Sequence, residues 1–540
     1  MTNVTIKTDK YPALFGGIGF HNNEAMLYPL IEKDHFEQLL CKCYREIAPG
    51  FMRTFGGYDD WSQQSMDAFA EYYGKMQKVT DTPIYMAGAM AKMHFNDEDR
   101  KLYCERVADN LLYLKREKGV GHLRYFCFSN ELSCGTHAAL KDDLPTLKKY
   151  HEYLYAAFQR RKLDIGLLAP DASGYRLWPT ADWVMENMPG ITEDISLHIY
   201  ERDHDLYDLD LYGFFYEKCK EVCEKTIRCH GKRFMLTEFG IQQGSTGKQL
   251  TFPNGMIADT CRYFEDDFER AYCALMISEM IFAAINAGVA AMAYWTFTDY
   301  PDPYSCAWSE KEGYAKKWAS CERFVSGTTD SKYNKWGLFK WEDSGDHSVR
   351  ELYWCLAPLM KLFKRNSKVL RIESGDAMLR SCGVLNRDGS VSIGIVNRNK
   401  HDAEITLDSQ LFSQGIRVYE YDPRNVPVNP FGDIQPYSAV LSPERAAYTL
   451  KAESVTFFTT DYAEKTAPVC AENLSLTDRV LSWSPVSDPE HCYYRVYASD
   501  TPDFVPGAAN QIASTVGTEI TVTDHRKCFK VLSVDHSGNV

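Results

Sequence analysis

Eight short apolar runs, separated by segments of helical spacing, fill the first two thirds of the 540-residue chain and leave few folds open to it. The runs are 13–20, 51–55, 83–90, 123–129, 164–169, 194–200, 233–238 and 290–297. Runs apolar at nearly every position, not at alternate ones, suit strands covered on both faces of a sheet. Between them, Phe36, Leu39, Leu40 and Cys43, then Met66, Phe69, Tyr73 and Met76, recur at the three- and four-residue intervals of an amphipathic helix. Eight strand–helix units in succession predict an α/β fold, a closed parallel (β/α)8 TIM barrel. The C-terminal strand ends and their loops then gather at one mouth.

A chain this long exceeds what a single core usually supports. From about Ser367 the pattern turns to short alternating strands with turn signals, such as 391–396 after Asn386-Arg387-Asp388-Gly389. Pro468 opens a further unit with strand-like stretches around Leu474, 480–483, 493–497 and 529–534. The predicted organisation is a barrel over 1–365, a β-sandwich over 366–466 and another all-β module over 467–540. A long segment follows the eighth run, and Tyr304, Trp308, Trp318 and Trp336 within it favour a folded rim over a linker. The stretch 271–297 carries only Glu279 as a charge over 27 residues. Asn286-Ala287-Gly288 divides it into a buried helix and the eighth strand, a better reading than a membrane span.

Composition narrows the partners. With 74 acidic against 60 basic residues the net charge is -14, which disfavours nucleic acid and anionic membrane and points to a neutral partner. Seventeen cysteines, an odd number, lack a paired framework, and the start MTNVTIKTDKYPALFG lacks the regions of a signal peptide. A cytoplasmic location is expected. Cys41 with Cys43, Cys219 with Cys223, and Cys134 do not make the close ligand pairs of a zinc site. HExxH, Walker and dinucleotide motifs are missing, so neither metal nor cofactor is expected. Homo-oligomerisation stays open.

Polar residues fall at the ends of most of the predicted strands: Arg53, Asn130, Glu131, His198, Tyr200, Glu238 and Trp295. Two carboxylates at the mouths of separate strands, Glu131 and Glu238, are what retaining glycoside hydrolysis requires: one acid/base and one nucleophile. Either glutamate alone reads as a solvated surface residue; the pair, with the other five at one mouth, does not. The motifs RTFGG, FSNELS, SLHIY, LTEFG and AYWTF, each at its own strand over residues 13–363, resemble the clan A glycoside hydrolases, near families 39, 5 and 30. One departure stands out: Leu132-Ser133 follows the Asn-Glu pair where many members carry proline. LSWSPVSD, YYRVYAS and FKVLSVDHSGN in the last module resemble fibronectin type III.

The resemblance implies Glu131 as acid/base, expected to hold a proton beside a negative Glu238, and Glu238 as nucleophile. Arg53 and Tyr200 are expected to hold Glu238 ionised, Asn130 to meet the sugar 2-hydroxyl, and Trp295 to offer a flat face to the ring. His198 is expected at the sugar or the acid/base. His21, Asn22, Asp59, Asp60, Trp61 and Trp178 are candidate subsite residues, with packing the stronger reading for the last two. The expected function is a retaining glycosidase, exo-acting on neutral oligosaccharides or glycosides. A silent carbohydrate-binding protein and a transglycosidase using the same carboxylates are the alternatives.

Overall fold

The computed structural model describes residues 2–22, 36–59, 61–88, 93, 96–133, 135–202, 210–251, 257–262, 267–301, 333–334, 337–340, 346–408, 410–412, 415–462 and 465–540. Asp60 and the rim aromatics Tyr304, Trp308, Trp318 and Trp336 lie outside the described residues. Eight parallel strands form the barrel: Ile18–His21, Phe51–Phe55, Ile84–Ala87, Leu123–Cys127, Gly166–Ser173, Asp194–Arg202, Phe234–Thr251 and Ala291–Tyr294. The eighth pairs with both the first and the seventh, which closes the sheet. A helix follows each strand in turn, from Gln38–Ile47 after the first to Tyr353–Leu362 after the eighth. Local chemistry starts these helices. Ser62, Asn96 and Asp143 cap the helices Gln63–Met76, Asp97–Leu112 and Leu144–Arg161 by accepting a backbone N–H three residues on.

The predicted first barrel strand, 13–20, begins too early. Thr2–Phe15 pairs antiparallel with Ser367–Ser374 and parallel with Ala403–Asp408, so it belongs to the second sheet, and the barrel starts at Ile18. Val4 and Ile6 are buried in that second unit's own core, which outweighs continuity with the strand that follows. The seventh strand is longer than 233–238 and turns back as a hairpin through Ile257–Arg262.

The second unit is a nine-stranded sheet with two apolar faces. Ile393, Ile395 and Phe458 point into its own core, while Val396, Val455 and Phe457 join the barrel core through the helices Asp267–Ala287 and Tyr353–Leu362. Gly394 permits that approach: a Cβ there would sit 2.3 Å from the ring of Phe282. The apolar helix with a membrane-like window, Arg270–Ala287, is 89% buried here inside protein. Its Glu279 lies 3.4 Å from Arg398 and 3.6 Å from Arg380 of the sheet.

The third unit is two three-stranded sheets around Leu481, Trp483, Tyr494, Val496 and Val531. It docks on the first barrel helix through a buried charge cluster. Lys42, with no exposed side chain, pairs with Glu46 at 2.6 Å and Asp433 at 2.7 Å. Asp433 also takes Arg495 at 3.0 Å, Gln511 at 2.7 Å and Ser514 at 2.8 Å. All three units meet at that point. Lys42→Ala leaves two carboxylates facing each other without their shared cation. It should lower stability by about 3–5 kcal/mol, read as a reduced denaturation midpoint; an unchanged midpoint would show that the cluster contributes nothing.

Candidate active site

Arg53 occupies the middle of the second barrel strand, Phe51–Phe55, and has no exposed surface. Its Nη1 donates to Glu238 Oε2 at 2.6 Å and to His21 Nδ1 at 3.0 Å. Arginine can only donate, so His21 Nδ1 accepts and carries no proton. Nη2 donates to Asn130 Oδ1 and lies 3.5 Å from Asp171 Oδ2. Four strand ends thus converge on one guanidinium. The chain leaves through Gly57, at φ +72°, where a Cβ would meet the Phe126 ring at 2.6 Å.

Glu238, 5% exposed at the seventh strand, has a donor for each oxygen: Arg53 on Oε2 and the Tyr200 hydroxyl on Oε1 at 2.6 Å. Glu131 follows the fourth strand in the left-handed region at φ +53°, which costs a non-glycine residue about 1–3 kcal/mol. Its neighbours hold it there. The Glu131 N–H donates to Asp171 O at 2.9 Å, the Asn130 N–H to His137 Nδ1 at 3.1 Å, and the Ser129 hydroxyl to Pro170 O at 2.9 Å. One oxygen of Glu131, one of Glu238 and a ring nitrogen of His198 all lie within 4.8 Å of one another.

His198, fully buried on the sixth strand, stands between the acids. Its Nε2 is 3.2 Å from Asp171 Oδ2; its Nδ1 is 3.5 Å from Glu131 Oε1 and 3.8 Å from Glu238 Oε2. Burial works against its charge, but Asp171 and Glu238 prevail over that and over Arg53, raising its pKa from 6.5 to about 9. Asp171 is also buried, yet His198, Arg53 and the Tyr85 hydroxyl, 2.5 Å away, hold it well below the usual carboxylate range. Burial pushes Glu238 above the ordinary glutamate value and Glu131 adds to this, while Arg53, His198 and Tyr200 pull it back. Arg53 and His198 supply two positive charges, which Asp171 and Glu238 match when Glu238 is ionised.

Beside the carboxylates, the Trp295 ring lies 4.3 Å from His21 and 5.8 Å from Phe55, centre to centre. Arg53, Asn130, Glu131, His198, Tyr200, Glu238, His21 and Trp295 are therefore brought together. Trp61 and Trp178 are not. Trp61 packs edge-on to Tyr58 and Phe69, and Trp178 donates to the His198 carbonyl at 2.9 Å and packs on Phe234. Asn22 is buried and accepts from Tyr44 and Tyr72, so it serves packing. Asp171, Tyr85, Thr237 and His137 are site residues that sequence reasoning missed. The one available signal was Asp171 just past Pro170, which follows the apolar run of strand five.

Glu131, His198 and Glu238 have the spacing of a metal-ligand set. Their charges oppose that use: the Arg53 cation already sits on Glu238, and a protonated His198 has no lone pair for a metal.

No protein-family model matches the chain, and no curated protein matches it. Solved structures do. A family 30 xylanase C catalytic domain from Talaromyces cellulolyticus aligns over 85% of this chain and 99% of its own, at 13% identity and TM-score 0.54. A family 51 arabinofuranosidase from Xanthomonas axonopodis pv. citri aligns over 85% and 100%, at 12% identity and TM-score 0.55. An α-L-arabinofuranosidase from Thermotoga maritima, solved with arabinose, aligns over 85% and 100%, at 12% and 0.54. At such identities the likeness shows the fold: an eight-stranded parallel barrel followed by β-sheet, as the chain's pattern predicts.

Because folding raises the His198 pKa, its stabilising contribution is complete below 6.5 and is lost as pH rises through about 9. Unfolding free energy should fall by about 3 kcal/mol over that window. His198→Asn should abolish this part of the decline; identical pH dependence in the variant would refute the assignment.

Proposed function

We propose that the chain is a retaining glycoside hydrolase that removes sugars from the ends of neutral oligosaccharides or glycosides, with Glu131 as acid/base and Glu238 as nucleophile. The observation that carries this reading is the approach of the two carboxylates, within 4.8 Å. Retaining enzymes place the pair about 5–5.5 Å apart, whereas inverting enzymes need about 6.5–9.5 Å to seat a water molecule. The xylanase and the two arabinofuranosidases that share its fold agree with it.

In the first half-reaction Glu131 gives its proton to the glycosidic oxygen while Glu238 attacks the anomeric carbon. The bond to the leaving oxygen breaks, and its electron pair departs with the alcohol. Glu131, now a carboxylate, takes a proton from water; that water attacks the same carbon and releases Glu238, so configuration is kept. Tyr200 and Arg53 fix both oxygens of Glu238 before attack, which removes reorientation from the barrier. Trp295 with His21 provides the apolar wall for the ring, and Asn130, held by Arg53, turns its amide donors to the sugar.

The end-cutting mode is inferred from the long segments that follow strands two and eight in the sequence; of the latter, Tyr300–Pro301 pairs with Tyr333–Asn334. Cytoplasmic placement, favoured by twelve described cysteines that are all unpaired, adds to this, since imported fragments are the glycans met there.

A panel of nitrophenyl glycosides tests the proposal. Glu238→Ala should abolish turnover and added azide restore it, while Glu131→Ala should cost about 10²–10⁴-fold on substrates with poor leaving groups and less on activated ones. NMR should show the first-formed anomer with the substrate's configuration. Sugar binding without turnover, or an inverted anomer, would defeat the proposal. On defined oligomers, single sugars should be released from the first minutes; early internal fragments would overturn the end-cutting mode alone.

A further inference from the structure

We propose that Asp171, which is placed to touch no substrate, is the positioning residue that holds His198 as a cation shared by both catalytic carboxylates. The inference rests on the glycosidase reading and assigns a part in it to the fifth and sixth strand ends.

The geometry is specific. Asp171 has no exposed surface, and its carboxylate is oriented by Tyr85 at 2.5 Å and Thr237 at 3.0 Å. The oxygen that accepts from Tyr85 also faces His198 Nε2 at 3.2 Å. Balancing Arg53 is not its main task. Arg53 already has Glu238 at 2.6 Å, whereas Asp171 stands 3.5 Å from it, farther than from His198. A buried imidazole sheds its proton unless a carboxylate compensates, and Asp171 is the nearest acid.

What the cation does follows from the two half-reactions. Before attack the negative charge is on Glu238; in the glycosyl-enzyme that residue is an uncharged ester and the charge has moved to Glu131. His198 Nδ1 lies 3.8 Å from the first and 3.5 Å from the second, so one fixed cation serves both states. Arg53 cannot do this, because its hydrogen bonds go to Glu238, His21, Asn130 and Asp171 and none to Glu131. The ionisable groups around the imidazole are Asp171, Glu131, Glu238 and Arg53, with the Tyr85 and Tyr200 hydroxyls attached to the acids.

Asp171→Asn keeps the shape and removes the charge. The protonation of His198 is followed by NMR of labelled histidine, and kcat and KM are measured against pH. In the native protein His198 should titrate near 9, and kcat should show a fall along that curve in addition to the one set by loss of the Glu131 proton. In the variant the titration should move to or below the ordinary 6.5, with kcat at pH 8 reduced about tenfold and KM little changed. A second variant, His198→Asn, should lose the part of the alkaline limb that follows the imidazole and keep only the part set by loss of the Glu131 proton. The inference fails if His198 is neutral at pH 7 in the native protein, if Asp171→Asn leaves its titration in place, or if His198→Asn has the native pH profile. Should Asp171→Asn not fold, the native titration and the His198→Asn profile decide. The NMR titration needs no turnover, so an inactive native protein would sink the glycosidase reading while the Asp171–His198 coupling was still measured on its own.

Discussion

A guanidinium buried without exposed surface must be met by anions and acceptors, because an uncompensated charge in a protein interior costs several kcal/mol. Arg53 draws its partners from four other strand ends: His21 from the first, Asn130 from the fourth, Asp171 from the fifth and Glu238 from the seventh. The barrel makes this affordable, since closure already brings those ends together, and the guanidinium then dictates how each side chain is turned. Glu238 cannot rotate without abandoning Arg53 and Tyr200 together. The position of Glu238 is therefore a consequence of charge neutralisation as much as of backbone geometry.

Much of this was legible in the chain because barrel strands and catalytic mouths leave strong local marks. Seven of the apolar runs coincide with barrel strands, and the residues closing them, from Arg53 to Trp295, meet where a (β/α)8 barrel places strand ends. The failures have physical causes. Thr2–Phe15 has the alternation of a half-covered strand at Val4 and Ile6, but its partners are residues 367–374 and 403–408, and pairing at that distance has no local signature. Asp171 was overlooked because the apolar run ends at Ala169 and Pro170 resembles a stop, whereas the strand continues to Ser173 with Asp171 turned inward. Trp61 and Trp178, for which packing is the stronger reading in the sequence, pack against neighbouring rings in the structure.

Scaffold and site use buried charge differently. At the three-unit junction, Lys42, Glu46, Asp433 and Arg495 join elements far apart in sequence. Such clusters add little net stability over apolar packing, but they penalise every other docking arrangement, since any shift strands a charge. The third unit is thereby set on the flank formed by the helix Gln38–Ile47. Glu279 with Arg398 and Arg380 does the same between barrel and second sheet. At the mouth, by contrast, Arg53, His198, Asp171 and the two glutamates converge in one small volume and join no separate units.

Backbone conformation completes that arrangement. Glu131 and Asp171 both adopt left-handed φ, +53° and +52°, and the Glu131 N–H donates to the Asp171 carbonyl. Two disfavoured residues on adjacent strands are thus tied to each other, and neither can relax alone without losing the bond. Relaxation of Glu131 would carry its carboxylate away from Glu238, and relaxation of Asp171 would withdraw the carboxylate from His198. The link between strands four and five consequently couples the position of Glu131 to the charge of the residue facing it. His137, accepting from the Asn130 N–H and packed edge-on to Phe128, braces the same turn where Leu132-Ser133 stands in place of proline.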